Sequence, residues 1–361
     1  MDVQYLPLEA LHAPQSDYVA PELINSTFGS DCTDLISSAL NSRILSFSDQ
    51  FFADASNLTN PKPPIHRPGV FVPSGAWYDG WETRRHNPRP FDWVIIRLGV
   101  ASGVVRGVEI DTAFFNGNQA PEISVQGCFE PDEEADKKVL AGGEGWSGWE
   151  DILGKRKCGA SCKQAWKVSG QKKVTHVRLC MWPDGGIARF RLYGQAIPVW
   201  PKDAQEEVEL SAAVMGGVAV SCSDQHFGGR GNLLLPGRGV DMGDGWETKR
   251  SREKGHVDWV IVRLGARGKL TRVVIDTLHF RGNFPQGVKV EGADAGGDTL
   301  TEEDPRWLEL LGVQKTGPDE ELEFGADSLQ KIGDGKAYTH VKMTIIPDGG
   351  LKRLRVFGHR A

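Results

Sequence analysis

The sequence predicts an all-β protein of two tandem β-sandwich domains related by internal duplication. Three observations lead to this prediction. The stretch 79-DGWETRR-85 returns as 244-DGWETKR-250, both copies lie within a longer parallel of preserved order and spacing, and the apolar residues follow a strand-like pattern. Because a duplicated segment of this length normally folds as a unit, the repeat sets the division into domains.

The parallel extends over most of the chain of 361 residues. Four further pairs of segments match: 48-SDQFF-52 with 223-SDQHF-227, 92-DWVIIRLG-99 with 258-DWVIVRLG-265, 109-EIDTAFFNGN-118 with 274-VIDTLHFRGN-283, and 175-THVRLCMWPDGGIARFRLYG-194 with 339-THVKMTIIPDGGLKRLRVFG-358. They predict a first domain over 41–198 and a second over 210–361, each near the usual size of one domain. Residues 1–40 are expected to form an N-terminal arm. Residues 199–209 form the linker, inside a connector that carries two prolines and a charge cluster.

Within each copy, short apolar runs rich in Val and Ile alternate with turn residues. WVIIRLG, PEISVQG and IARFRLYG are examples, and they predict strands of about 5 to 8 residues. Only 31–41 and 203–214 read as helical. Many short strands without alternating helices favour an antiparallel sandwich over a parallel α/β sheet. The PDGG stretches at 183–186 and 347–350 predict tight hairpin turns in which glycine supplies a positive φ.

Composition narrows the function classes. The formal net charge is −6 with the basic residues scattered, which argues against a nucleic-acid partner. No apolar run approaches the roughly 18 residues of a membrane span, and the first residues lack the basic and apolar blocks of a secretory signal. The sequence therefore predicts a cytoplasmic protein with a small-molecule ligand. The six cysteines are expected to be reduced thiols, and Cys158 and Cys162 lack a second pair at zinc-finger spacing.

The order of these motifs resembles the galactose-binding-like jelly roll of discoidin-type domains. With DGWETRR, DWVIIRLG, DTxxFxGN and PDGG each present twice, and with 21-PELINSTFGS-30 in the arm, the chain resembles the allantoicase family over about nine tenths of its length. The resemblance implies a hydrolase of purine degradation that converts allantoate to ureidoglycolate and urea. It also implies a homo-oligomer.

Allantoate carries one carboxylate and two ureido groups, so its site needs a planar cationic fork, acceptors for N–H groups and a proton donor for the departing urea. The repeated loop combines these residue types. We predict Glu247, His279 and Glu82 as catalytic residues. The predicted substrate-binding residues are Arg84, Arg85, Arg250, Thr83, Thr248, Asn118, Asn283 and His256.

Several of these residues have a structural interpretation as well. Trp81 and Trp246 are expected to plug the core beneath the loop, and Asp79 and Asp244 could be turn formers. Glu82 and Glu247 could belong to an ion-pair strut. Asn118 and Asn283 could cap turns.

The copies differ in their histidines. His226, His256 and His279 occur only in the second copy, and a histidine titrates close to neutral pH, where it can serve as an acid. We therefore expect the second copy to carry more of the catalytic residues, although a shared or reversed arrangement stays open. The same histidines could bind a divalent ion, but no spacing requires one, so no cofactor is assigned. The alternative function is a tandem discoidin-like binding protein without catalysis.

Overall fold

The computed structural model describes residues 16–132, 134–141, 146–329 and 335–361. Residues 1–15 of the predicted arm lie outside this set. The chain divides into two compact units, Met1–Ile197 and Pro198–Ala361. No helix in the described parts of the chain is both long and apolar enough to cross a membrane.

The described residues of the first unit form fifteen strands and two short helices. In chain order they are β1 (Tyr18–Val19), α1 (Ile24–Phe28), β2 (Thr33–Asp34), β3 (Arg43–Phe47), β4 (Phe71–Val72), β5 (Gly75–Ala76), β6 (Trp81–Glu82), β7 (Asp92–Arg97), β8 (Ser102–Asp111), β9 (Glu122–Cys128), α2 (Ala135–Ala141), β10 (Glu150–Lys157), β11 (Lys163–Lys167), β12 (Lys173–Val174), β13 (His176–Trp182), β14 (Gly186–Ile187) and β15 (Arg189–Ile197).

In the second unit, ten strands lie within the part of the chain that the structure describes. They are β16 (Val208–Glu209), β17 (Val218–Cys222), β18 (Trp246–Glu247), β19 (Asp258–Asp276), β20 (Gly287–Ala293), β21 (Leu308–Lys315), β22 (Glu321–Phe324), β23 (Tyr338–Ile346), β24 (Gly350–Leu351) and β25 (Arg353–Arg360). Short 3-10 turns lie at Pro21–Leu23, Ser38–Leu40, Ala55–Thr59, Ala213–Met215, Arg230–Leu234 and Met242–Asp244.

Two antiparallel sheets form the sandwich of the first unit. One has the order β1-β11-β8-β15-β2, with β12 also paired to β8, and the other has the order β10-β9-β13-β7-β3. Between them lie fully buried residues at alternate strand positions: Val94, Ile96, Val108, Ile110, Ile123, Val125, Val177, Leu179, Phe190 and Leu192. Each such burial contributes about 1.5–3 kcal/mol, so this face holds the two sheets together.

The second unit repeats the central pairings of this topology. Its strand β19 runs for 19 residues and joins its partners into one eight-stranded sheet. Its first half pairs with β17 and β23, as β7 pairs with β3 and β13, and its second half pairs with β25 and β22, as β8 pairs with β15 and β11. The matching strand partners confirm the all-β, duplicated jelly-roll fold.

A buried phenylalanine explains why three motifs recur together. Phe115 of the first F-x-G-N corner is 1% exposed, and its ring fills the space where a Cβ at Gly186 would lie; a Cβ at Gly80 would come within 2.8 Å of it. Phe280 has the same relation to Gly350 and Gly245. The DGW loop, the PDGG turn and the F-x-G-N corner thus interlock around one ring in each unit.

The two predicted helices were wrong. Residues 31–41 hold β2 and a 3-10 turn, and 203–214 hold β16 and the start of another. The Asp34 carboxylate accepts from the N–H groups of Ile36 and Leu192, and the Ser37 hydroxyl accepts from the N–H of Ala39. Such side-chain bonds to the backbone compete with helix formation.

The PDGG turns also differ from the prediction. Gly185 and Gly349 have the expected positive φ of 150° and 137°. In the first unit, however, the flanking strands β13 and β15 belong to different sheets, so the turn carries the chain across the sandwich instead of closing a hairpin. In the second unit, the flanking strands β23 and β25 each pair with β19, which lies between them. Gly186 and Ile187 pair instead with Glu82 and Trp81 of the DGW loop.

Candidate functional site at the repeated loops

Tryptophan anchors each repeated loop in its unit. Trp81 and Trp246 are fully buried, as predicted, and their indole N–H groups donate to the carbonyls of Asp49 at 2.8 Å and Asp224 at 2.9 Å. The loop backbone therefore has one fixed position relative to the preceding SDQ segment. The side chains that follow the tryptophan are held at the edge of the sandwich.

The aspartates before each tryptophan bind buried cations, which is more than a turn-forming role. Asp79 pairs with Arg189 at 2.8 Å, and Asp244 forms an ion pair with Lys352, whose side chain is fully buried. A buried charge requires a partner of opposite sign, and breaking such a pair typically costs about 3–5 kcal/mol. These aspartates therefore belong to the support of the site.

In the first unit the predicted site residues form a closed network. The Glu82 Oε1 atom accepts from the Arg85 guanidinium at 2.9 Å and from the Asn118 amide at 3.0 Å. Arg85 also donates to the Thr83 carbonyl at 2.6 Å and the Asn118 carbonyl at 3.0 Å, and it lies 3.7 Å from Asp184. The arginine thus has both terminal nitrogens engaged within the protein.

Burial sets the ionisation of Glu82, which is 6% exposed. Loss of solvation raises the pKa of its carboxyl, and the bonds from Asn118 and Arg85 only partly oppose this effect. A glutamate with a raised pKa is suited to hold a proton closer to neutral pH than a free carboxyl does.

Thr83 and Thr248 hold the PDGG turn in place. They are 0% and 3% exposed, and their hydroxyls accept from the N–H groups of Gly185 at 3.3 Å and Gly349 at 3.1 Å. This placement indicates a positioning role, and direct contact between these threonines and the substrate stays a prediction.

Arg84 is directed away from Glu82. Its guanidinium binds Asp49 Oδ1 at 2.8 Å and lies over the Phe51 ring, 5.0 Å from the centroid. Burial alone would raise the pKa of Asp49, but the bonds from Arg84 outweigh it and hold that pKa below its ordinary value. Arg84 therefore supports the SDQ segment, and its role in substrate binding stays a prediction.

The second unit presents the same motif in an open state. Glu247 is half-buried, and its Oε1 atom accepts from the Asn283 amide at 2.5 Å. Arg250, the counterpart of Arg85, is exposed, and its guanidinium has no hydrogen-bond or ion-pair partner among the described residues. The structure thus brings Glu247 and Asn283 together and leaves Arg250 free.

The contacts found for the predicted histidines His256 and His279 are with groups other than the Glu247–Asn283 pair. The ring of His256 lies 3.2 Å from Asp258, outside hydrogen-bond geometry. His279 lies at the start of the F-x-G-N corner with a φ of 70°, close to the φ of 69° that Phe114 has at the matching position of the first unit. Its N–H donates to Asp319 at 2.6 Å. His279 is half-buried and stays at the same corner as Asn283.

No group of three or more His, Cys, Asp or Glu side chains in the described ranges could hold a metal ion. His226, His256 and His279 accordingly do not form a ligand set there. All six cysteines, including Cys158 and Cys162, are free thiols.

The sequence interpretation missed Asp184 and Asp348 of the PDGG turns. Asp184 accepts from the N–H of His86 at 2.8 Å and faces Arg85, while Asp348 accepts from the N–H of Ser251 at 2.7 Å. The recurrence of an aspartate at both turns was a usable signal. In the sequence analysis, these stretches were used only to predict turns.

Comparisons with known proteins agree with this architecture. The family model described as the allantoicase repeat matches residues 33–197 and 208–361. The chain is 55% identical to an allantoicase from Neurospora crassa, with 100% of this chain and 99% of that protein covered. It is 53% identical to a probable allantoicase from Schizosaccharomyces pombe, with 95% and 97% covered.

The fold matches a crystal structure of allantoicase from Saccharomyces cerevisiae with a TM-score of 0.81 and 43% identity, covering 95% of this chain and 99% of that one. Both repeats, their order and nearly the full length of the chain are thus shared with these proteins. The chain belongs to the allantoicase family.

Proposed function

We propose that the protein hydrolyses allantoate to ureidoglycolate and urea, in purine degradation, at the open edge of the second unit. Membership of the allantoicase family supports the reaction and does not favour the alternative of a binding protein without catalysis. The location is supported by the difference between the two copies of the repeated loop, which is closed in the first unit and open in the second. Arg85 is engaged by its own unit, whereas Arg250 is free to bind a substrate carboxylate.

Each residue has a role that its chemistry permits. Arg250 binds the substrate carboxylate through its planar fork of donors. Glu247 accepts from a ureido N–H group and transfers a proton during departure of the urea. Asn283 holds the Glu247 carboxylate in one orientation through the bond of 2.5 Å.

The reaction begins with loss of one urea, assisted by the lone pair on the remaining ureido nitrogen. Water then adds to the resulting imine carbon. Both steps move protons, and each such transfer by a placed side chain is typically worth ~10²–10⁴ in rate. His279, at the same corner as Asn283, is the second candidate for the proton donor. No covalent nucleophile is needed.

The first unit then has a supporting role, because the Glu82 Oε1 atom and the Asn118 amide N–H are engaged with each other and with Arg85 inside the network. The free thiols fit a reducing, cytoplasmic compartment. We also propose a homo-oligomer, which light scattering of the purified full chain would test.

Urea release from allantoate by the purified protein tests the reaction. The location is tested by Arg250→Ala beside Arg85→Ala. If only Arg85→Ala abolishes turnover per folded molecule, the active edge belongs to the first unit.

A further inference from the structure

A polar cavity of about 320 Å³ lies on the outer face of the β8–β15 sheet in the first unit. Its floor is formed by side chains that point away from the sandwich core, because Glu109 and Asp111 on β8 alternate with the buried Val108 and Ile110. Its roof is formed by Ile24 and neighbouring residues of the first helix and by the proline segment 61–64. None of the residues of the Glu82 network lines it.

The cavity floor carries both kinds of charge. Register places Lys163 and Arg189 on either side of Asp111, and Arg191 beside Glu109. The Tyr193 hydroxyl donates to Glu109 at 2.7 Å. A ligand that fits this floor has an anionic group for the arginine side and donor groups for the carboxylate side.

Arg191 is only partly compensated. Its Nε atom lies 3.6 Å from Asp34, its Nη2 atom donates to the Asn60 carbonyl at 2.6 Å, and its buried Nη1 atom has no hydrogen-bond partner among the described residues. A buried guanidinium with an unused donor favours an anion nearby.

The second unit supplies an internal comparison. Arg355 occupies the position of Arg191, and Glu209 that of Asp34, because Glu209 pairs with Phe357 as Asp34 pairs with Tyr193. The longer glutamate reaches the arginine with both oxygens, each at 3.0 Å. Glu109 and Lys163 are likewise replaced by Val274 and Glu321.

We propose that this cavity binds a small organic carboxylate that carries N–H donors, at a site separate from the repeated loops. The carboxylate interacts with Arg191 and the donors interact with Glu109. The volume suits such a molecule, since it lies at the lower end of the range for small-molecule sites. The proposal does not rest on which unit carries the reaction.

Titration calorimetry of the full chain with hydantoate, a carboxylate with one ureido group, tests the proposal. Acetate, which lacks the N–H donors, is the matched probe. We expect hydantoate to bind at least about tenfold more tightly than acetate. The titrations are repeated in Arg250→Ala, which removes the proposed carboxylate-binding group of the repeated loop, and this component of binding should persist there.

Asp34→Glu gives Arg191 the partner that Arg355 already has, so it should weaken hydantoate binding by about tenfold or more. Arg191→Gln should do the same, while Arg355→Gln in the second unit should leave the affinity unchanged. Circular dichroism selects the variants that are folded. Wild-type affinity in both folded Asp34→Glu and folded Arg191→Gln, or no binding to the wild type up to about 10 mM, would overturn the proposal.

Discussion

Glu82→Ala and Glu247→Ala remove the same carboxylate from the two copies of one motif, and we expect opposite consequences. Glu82 accepts two hydrogen bonds inside a closed network, and its loss leaves the Arg85 and Asn118 donors unmatched. A bond to a charged group contributes about 1.5–3 kcal/mol. Part of this is offset, because burial already disfavours the charged carboxylate. A net loss of about 2 kcal/mol follows.

Glu247 is half-buried, and its carboxylate has Asn283 as its one hydrogen-bond partner among the described residues. Its removal should therefore cost about 1 kcal/mol or less. For a unit of this size, 1 kcal/mol corresponds to about 2–4 °C in Tm. Calorimetric scans should therefore place Glu82→Ala about 4–8 °C below the wild type and Glu247→Ala within about 4 °C.

Turnover should follow the reverse order. Urea release per folded molecule should fall by about 10²–10⁴ in Glu247→Ala, and by less than about tenfold in Glu82→Ala. If Glu247→Ala keeps its turnover while Glu82→Ala loses it, the open edge is not the catalytic one. Equal losses in both variants would indicate a site that uses both carboxylates.

Three further predictions concern single side chains. Arg250→Ala should raise KM and lower kcat/KM by about 10² because a free bidentate donor is lost, whereas exposed Lys249→Ala should change neither; equal effects would remove Arg250 from substrate binding. His279→Phe installs the residue that the first unit tolerates at nearly the same φ, so the fold should persist while the rate of urea release falls; an unchanged rate per folded molecule would exclude the histidine. Burial and the nearby Arg263 and Arg306 lower the pKa of His340 to about 4. The folded state therefore gains stability above the ordinary histidine pKa, and up to about 3 kcal/mol of it is lost as pH falls from about 6.5 to about 4. His340→Gln should flatten this part of the plot of unfolding free energy against pH, and a slope equal to that of the wild type would contradict the assignment.

The fold was predictable because it is specified by short sequence patterns that occur in both repeats. Alternating apolar strands and the duplicated motifs specify two β sandwiches, and buried Trp81 and Trp246 could be expected from residue type alone. The 31–41 segment was not, because the bonds from the Ile36 and Leu192 N–H groups to Asp34 depend partly on a strand about 160 residues away in sequence.

The candidate site was predictable only in part. Residue types in the repeated loop indicated which groups meet, and Glu82 does meet Arg85 and Asn118. The sequence could not show that Arg85 is engaged and Arg250 is free, because the same motif residues occur in the closed and the open arrangement. Nor could it show that Arg84 binds Asp49, since that contact depends on how the loop leaves the buried tryptophan.

The aromatic ring enclosed by glycines has a consequence for reading related proteins. Phe115 and Phe280 leave no room for a side chain at Gly186 or Gly350, so a relative that loses either glycine must rebuild its corner. A copy that had lost its chemistry long ago would still be obliged to keep DGW, PDGG and F-x-G-N in order to fold. The presence of these motifs therefore indicates the fold, and catalytic activity has to be judged from the solvent-facing residues beside them.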